Sequence, residues 1–461
     1  MSVETGVVPE DWRRANISPI FKKGEKSSAA NYRPVSLTSI CSKLLEHILV
    51  KHMLLHLEAH DILKDCQHGF RSRRSCETQL VTFIQELADN MPGGGQTDVV
   101  FMDFSKAFDR VPHQRLMLKL NYYGVRGSIL KWTENFLSRR EQRVVLDGEM
   151  SDYVAVRSGV PQGTVLGPLL FLVYINDLPD TTVSSKVRLF ADDAVVYKKI
   201  TSTSDSALLQ EDLDRLTQWE QTWQMSVHPD KCMVMHVTRA HKHKVTTRYN
   251  LRGHQLQTVD TASYLGLELD DKLNWTPYVN KVTSKATRSL NFVRRNLRVS
   301  SQKVKESAYK SLVRPTLDYC CAVWNPHEAQ HIHQVEMIQR RAARFVMNRY
   351  HNTSSVSSML DILGWDSLLE RRAKYSVTLL YKIVNNHVAI QPQAYFTPAY
   401  NSTRTLHTHK FLQIQGKTDY HSNSYFVRVI PLWNQLPATI AEAPSLDAFK
   451  ARLASHTIYN F

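Results

Sequence analysis

Short apolar runs of strand length alternate with longer helical stripes along the first half of the chain. Val187 to Phe190 and Ala194 to Tyr197 are two such runs, and Asp192-Asp193 lies between them. They read as a β-hairpin with both acids at its tip. Val99-Val100-Phe101-Met102 is a continuous apolar run ending in Asp103, which suits a buried strand. Arg143 to Leu146 and Tyr153 to Val156 flank Asp147-Gly148, a pair favoured in tight hairpin turns. Helical spacing covers Glu77 to Ala88, which the loop Met91-Pro92-Gly93-Gly94-Gly95 joins to the Val99 strand. Leu209, Leu213, Leu216 and Trp223 fall on one face of a further helix, which Ser204, Asp205 or Ser206 can cap. Helices alternating with a mostly antiparallel sheet predict an α+β fold.

From Trp275 the pattern turns helical. Val282, Ala286, Leu290, Val293 and Leu297 form an apolar face, with Lys281, Lys285, Arg288 and Arg295 beside it. A second basic helix is expected over about Gln302 to Val313, and a third carries Gln339 to Arg344. The polar stretch Tyr400 to Ser424 reads as loop, and Trp433 as a packing residue. A chain of 461 residues predicts two to four subdomains.

Composition adds a partner. Hydrophobic and charged fractions of 43% and 22% are ordinary for a globular protein. The 58 Lys and Arg against 43 Asp and Glu are not; they give +15 and favour a polyanion, nucleic acid before membrane. Met1 to Glu10 is polar and carries no secretory signal. The apolar stretch Val165 to Ile175 is too short to span a bilayer. The six cysteines include no CxxC pair and suit a reducing compartment, the nucleus or cytoplasm. Cys320-Cys321 near His327, His331 and His333 fits no common zinc spacing and reads as buried thiols beside loop histidines.

The acids supply candidate chemistry. Adjacent aspartates repel, so Asp192-Asp193 is either an ordinary surface turn or a site that a cation neutralises. If the Val99 strand neighbours the hairpin, Asp103 joins them. Three carboxylates on one sheet edge suit Mg²⁺, with Mn²⁺ as a substitute. Two such ions can clamp the attacking and leaving oxygens of a phosphoryl transfer.

Five motifs follow in order: Asn31 to Leu37, Gln67-His68-Gly69-Phe70-Arg71, Asp103 to Asp109, Ser158 to Thr164, and Phe190-Ala191-Asp192-Asp193. In this order they closely resemble the reverse transcriptases of animal non-LTR (LINE-type, jockey-like) retrotransposons. The resemblance is dense over the first ~270 residues and looser beyond. It implies a right-hand polymerase, with fingers and palm over 1–270, a helical basic thumb over 271–350, and a C-terminal region of unknown role over 351–461. It implies RNA-directed DNA polymerase activity on an RNA template, a DNA primer or RNA–DNA hybrid, and dNTPs. Asp103, Asp192 and Asp193 become metal ligands, and Lys231 a group that protonates or neutralises pyrophosphate. Lys22, with the register to Lys23 open, and Arg33 would grip the triphosphate. Phe108 would exclude a 2′-hydroxyl. Gln162 and Gly163, opening the helix after Pro161, would meet nucleotide or template. Asp109 reads as a turn or helix carboxylate. Tyr264-Leu265-Gly266 resembles a primer-grip hairpin, and Lys281, Lys285 and Arg288 would contact duplex phosphates.

His228 departs from the family, which usually has Asn there. Two alternatives stay open: a catalytically dead nucleic-acid-binding protein, and a host enzyme of telomerase or intron type. Polymerase-like sequence begins already at Trp12 and Ala15 to Lys22. No room is left ahead of it for the endonuclease such elements carry, since a domain needs at least ~50 residues. A truncated reading frame is therefore expected.

Overall fold

The computed structural model describes residues 1–240, 244–351, 353–399 and 407–459. The chain divides into two compact units. The first holds Met1–Ser72, Asp98–Val234 and Val245–Val259; the second holds Arg73–Thr97, Met235–Lys244 and Asp260–Phe461. These borders do not follow the stretches 1–270, 271–350 and 351–461, because the helix Cys76–Asn90 packs with helices late in the chain.

In the first unit, β1 (Arg14–Phe21) and β2 (Tyr32–Leu37) pair antiparallel. Next in sequence comes β3 (Gln96–Met102). β4 (Arg140–Leu146) lies parallel to β1. The expected turn at Asp147-Gly148 joins β4 to β5 (Glu149–Met150), and both its residues have positive φ, as a type I′ turn requires. β6 (Val154–Val156) returns onto the start of β4.

The remaining strands are β7 (Lys186–Phe190), β8 (Asp193–Ile200), β9 (Met233–Val237), β10 (Asn250–Leu251), β11 (His254–Gln255), β12 (Gln257–Thr258), β13 (Thr261–Tyr264) and β14 (Leu267–Asp270). A sheet of order β12–β9–β3–β8–β7 places β3 beside β8. The condition for grouping Asp103 with the hairpin acids is therefore met. Phe190 pairs with Asp193, so the hairpin tip is Ala191-Asp192 and Asp193 is the first residue of β8.

Helices back this sheet with apolar side chains. Leu166–Ile175 buries nine of its ten residues. It begins at Leu166 rather than at Gln162, because the buried Glu46 carboxylate accepts from the Val165 and Leu166 N–H groups at 2.7 and 3.0 Å. Thr203–Trp223 buries Leu209, Leu213, Leu216 and Trp219, each leucine worth roughly 1.5–3 kcal/mol. Trp219 takes the inward place that spacing gave to Trp223. The cap is Ser202, ahead of the expected serines, and its N–H donates to Asp205 at 3.1 Å.

The second unit is mostly helical; it also holds the antiparallel hairpin β13–β14, the end of β9 and the start of β3. Thr276–Asn296 buries Val282, Ala286, Leu290 and Val293 as expected. The next helix, Gln302–Ala308, passes into a π-helical turn at Tyr309–Val313. Ala329–Met347 carries the third basic run. Trp433 is fully buried. Within the polar stretch before it, Tyr400 and 401–406 lie outside the described residues, and Asp419–Ser422 is a short helix.

One buried acid anchors the approach to β7. Asp212 is fully buried and accepts from the Val183, Ser184 and Ser185 N–H groups at 2.8, 3.1 and 2.7 Å, while Arg215 pairs with it. Burial alone would raise its carboxyl; the Arg215 and serine partners outweigh that and hold it well below the usual aspartate range. Its stabilising effect is therefore full above about pH 4 and lost as pH falls further. Asp212→Asn should cost about 2–4 kcal/mol at pH 7 in urea unfolding. The deficit should shrink below pH 4; a deficit constant down to pH 2 would contradict the assignment.

Candidate active site

Asp103 directly follows β3, and a later loop fixes its backbone. His228 N–H donates to the Asp103 carbonyl at 2.8 Å, and Ser105 N–H donates to Ser226 at 2.7 Å. Asp103 N–H donates to Cys232 Sγ at 3.4 Å. These bonds bring Lys231 Nζ to 3.3 Å from Asp103 Oδ2. The departure at His228 leaves this geometry in place, because the contact uses backbone.

Asp192 and Asp193 sit where charge is disfavoured. Burial is the main force raising the Asp192 carboxyl, and Asp103 adds repulsion. Asp193 keeps an exposed edge, yet partial desolvation, then Asp192, then Asp103 push its carboxyl up to about 6. Lys22 opposes both shifts and Arg33 opposes that of Asp192. Lys22 is thus the lysine whose charge reaches the acids. It follows β1, where Ile20 pairs with Arg33.

The structure also gathers the Asp103 to Asp109 and Ser158 to Thr164 motifs. Phe108 stacks on Phe171 with ring centroids 4.3 Å apart, and meets Phe70 edge-on at 6.2 Å. Val160 N–H donates to the Phe108 carbonyl at 2.7 Å, and Gln162 Nε2 donates to the Asp109 carboxylate at 3.1 Å. Asp109 lies in the short 3₁₀ helix Ala107–Arg110, with Gln162 as its partner. Gly163 has φ 105° and presses on β2: an added Cβ would lie 2.6 Å from the Ser36 carbonyl.

The remaining candidates belong to the second unit. Tyr264 is buried, bonded to Gln79 and edge-on to Phe83, so its side chain is spent on packing. The turn beside it, Leu265-Gly266, has positive φ at both residues, and Gly266 is exposed. Lys281, Lys285 and Arg288 are exposed, with Lys281 paired to Glu268. Cys320 and Cys321 are buried, and burial raises both thiols.

Sequence reading missed Gln67, Gly69 and Cys232. Gln67 Oε1 accepts from Ala191 N–H at the acid turn, and Gly69 lies against the same residue. The motif order flagged the first two without giving a role; nothing local flagged Cys232. Among the described residues no three His, Cys, Asp or Glu side chains form a ready-made metal cluster. Mg²⁺ sites generally use one or two carboxylates plus waters and substrate phosphates rather than a complete protein cage. The raised carboxyls of Asp192 and Asp193, with three cations standing near, fit a cation and its anionic substrate.

The chain belongs to the reverse transcriptase family: residues 20–269 match the family described as reverse transcriptase (RNA-dependent DNA polymerase). It is 28% identical over 356 residues to the RNA-directed DNA polymerase from mobile element jockey of Drosophila melanogaster, covering 74% of this chain and 38% of that protein. It is 30% identical over 356 residues to the probable RNA-directed DNA polymerase from transposon BS of the same species, covering 73% and 38%. The chain thus spans 38% of the length of these relatives. Apo telomerase from Candida tropicalis aligns with a TM-score of 0.44 and 11% identity, over 84% of this chain and 69% of that one. Reverse transcriptases generally use divalent metal ions. No helix among the described residues is long and apolar enough to cross a membrane.

The raised Asp193 carboxyl gives a pH test. Its folded titration point, about 6, lies above the ordinary 3.8, so the charged form is the disfavoured one. The cost is absent below about pH 4 and complete above about pH 6. A bound cation needs the charged form, so Mn²⁺ affinity should fall by up to about tenfold per pH unit below 6. Calorimetric titration at pH 5, 6 and 7 should show this, and Asp193→Asn should flatten it. Equal affinity in wild type at all three values would sink the assignment.

Proposed function

We propose that this chain is the polymerase of a non-LTR retrotransposon, copying RNA into DNA from a primer 3′-hydroxyl with dNTPs. The observation that carries the reading is the meeting of Asp103, at the end of β3, with the Asp192-Asp193 hairpin, beside Lys22, Arg33 and Lys231. Asp103, Asp192 and Asp193 would hold Mg²⁺, or Mn²⁺ in its place. The bound metal supplies a lowered pKa for the 3′-hydroxyl and charge neutralisation on the leaving pyrophosphate.

The protein side of the reaction is positioning and electrostatics. Lys22 and Arg33 bind the triphosphate, the guanidinium with a planar fork. Lys231, beside Asp103, supplies a proton or a positive charge to pyrophosphate. Phe108, backed by Phe171, lies under the sugar and leaves no room for a 2′-hydroxyl, the group that distinguishes RNA from DNA. Gln162 is oriented by Asp109, and the bare backbone at Gly163 allows close approach of nucleotide or template. Lys281, Lys285 and Arg288 contact duplex phosphates, which position nucleic acid without reading sequence. Gly266 belongs to the primer-grip turn, with Tyr264 supporting it from below. The partners are an RNA template and a DNA primer or RNA–DNA hybrid, within the nucleus or cytoplasm.

Extension of a primed RNA template by purified protein with Mg²⁺ tests this reading. Asp103→Asn and Asp192→Asn should each lower the rate at least about 100-fold while preserving the circular dichroism spectrum. Near wild-type extension by either variant would overturn the metal assignment.

Phe108→Ala should narrow the preference for dGTP over GTP by about tenfold or more, measured as a ratio of kcat/KM values. An unchanged ratio in a variant that still polymerises would remove Phe108 from the sugar site.

A further inference from the structure

We infer that Gln67 and Gly69 are positioning residues for the Asp192 carboxylate: a buried side-chain amide and a missing Cβ set the turn that carries it. The inference rests on the polymerase reading above.

Residues 66–69 run beside β7 as a short parallel addition. Leu189 N–H donates to the Cys66 carbonyl at 2.9 Å, and His68 N–H donates to the Leu189 carbonyl at 2.8 Å. The backbone ladder stops there, short of the turn. The Gln67 side chain continues it. Its Oε1 accepts from Ala191 N–H at 2.9 Å and from Gly69 N–H at 2.8 Å, and Nε2 lies 3.5 Å from the Ala191 carbonyl. Gln67 is 2% exposed and Ala191 5%. Water therefore cannot replace the amide, and a buried N–H without a partner is costly.

The turn needs this support. Ala191 has φ 55°, the left-handed region that a residue with a Cβ enters at a cost. Its N–H points at Gln67 rather than into the hairpin ladder. Gly69 closes in from the same side: an added Cβ would lie 2.3 Å from Ala191 N. Asp192 follows Ala191 directly, so a shift of the Ala191 peptide moves the carboxylate. Reactive-site geometry is sensitive to displacements of this scale.

The test uses the full chain with Gln67→Leu, Gly69→Ala and Gln67→Glu, the last keeping an acceptor oxygen. The first readout is hydrogen exchange without metal or substrate. Peptides spanning 187–196 should exchange at least about tenfold faster in Gln67→Leu and Gly69→Ala, with protection of Leu166–Ile175 unchanged. Gln67→Glu should stay nearer to wild type. The second readout is the Mg²⁺ concentration giving half-maximal primer extension. It should rise about tenfold in the first two variants, while the KM for dNTP moves less than about twofold. Unchanged exchange at the turn would overturn the inference. So would loss of protection throughout the first unit in every variant, or an unaltered Mg²⁺ requirement where the turn exchanges fast. A wild-type chain that fails to extend primers would remove the polymerase reading, while hydrogen exchange would still decide whether Gln67 braces the turn.

Discussion

Repulsion among Asp103, Asp192 and Asp193 is the constraint on which the rest of this site depends. Carboxylates in a partly dry setting drift apart or take up protons unless something else fixes them. Here each is fixed through its backbone rather than through its charge. Asp103 is pinned by His228 and Cys232, Asp192 by the turn that Gln67 supports, and Asp193 by its pairing with Phe190. The Asp103 carboxylate additionally meets Lys231. Burial and neighbouring acids disfavour the charged Asp192 and Asp193, a local cost of the kind functional sites often carry.

The cations around the acids are graded in the same way. Lys231 is in direct contact with Asp103, whereas Lys22 and Arg33 act on the hairpin as nearby charges. The proposed triphosphate would meet one contact pair and two looser charges there. Asp212 shows the contrasting solution. There the carboxylate is saturated by backbone donors and Arg215, and it is buried and structural. The two environments separate an acid that holds a loop from acids kept available for chemistry.

What could be read from sequence was what local pattern encodes. The apolar runs around Asp103 and Asp192-Asp193 specify strands, and the Asp147-Gly148 pair specifies its turn. Their adjacency stayed a condition that only the sheet order meets, and the family motifs gave the chemistry. What could not be read depends on distant partners. The helix starts at Leu166 because Glu46, 119 and 120 residues away from its two donors, caps it. The cap at Ser202 was lost among neighbouring serines that are locally equivalent. Tyr264 looks available in sequence, yet Gln79 and Phe83 enclose it. Gln67 gave no sign of its role, since Ala191 lies 124 residues on.

That separation has a consequence for how the chain matures. Contacts between distant segments must meet the entropy of closing a long loop before they return any stability. The segment 66–69 leaves the ribosome well before β7, so its backbone bonds to Leu189 and the Gln67 bond to Ala191 wait until residues 186–191 follow. At roughly 5–20 residues per second, more than a hundred residues of synthesis delay that pairing for several seconds. An unpaired strand edge is prone to wrong association during that wait. The polar, glycine-containing Gln67-His68-Gly69 sequence is a poor seed for such pairing. Its composition thus suits the nascent chain as well as the finished site.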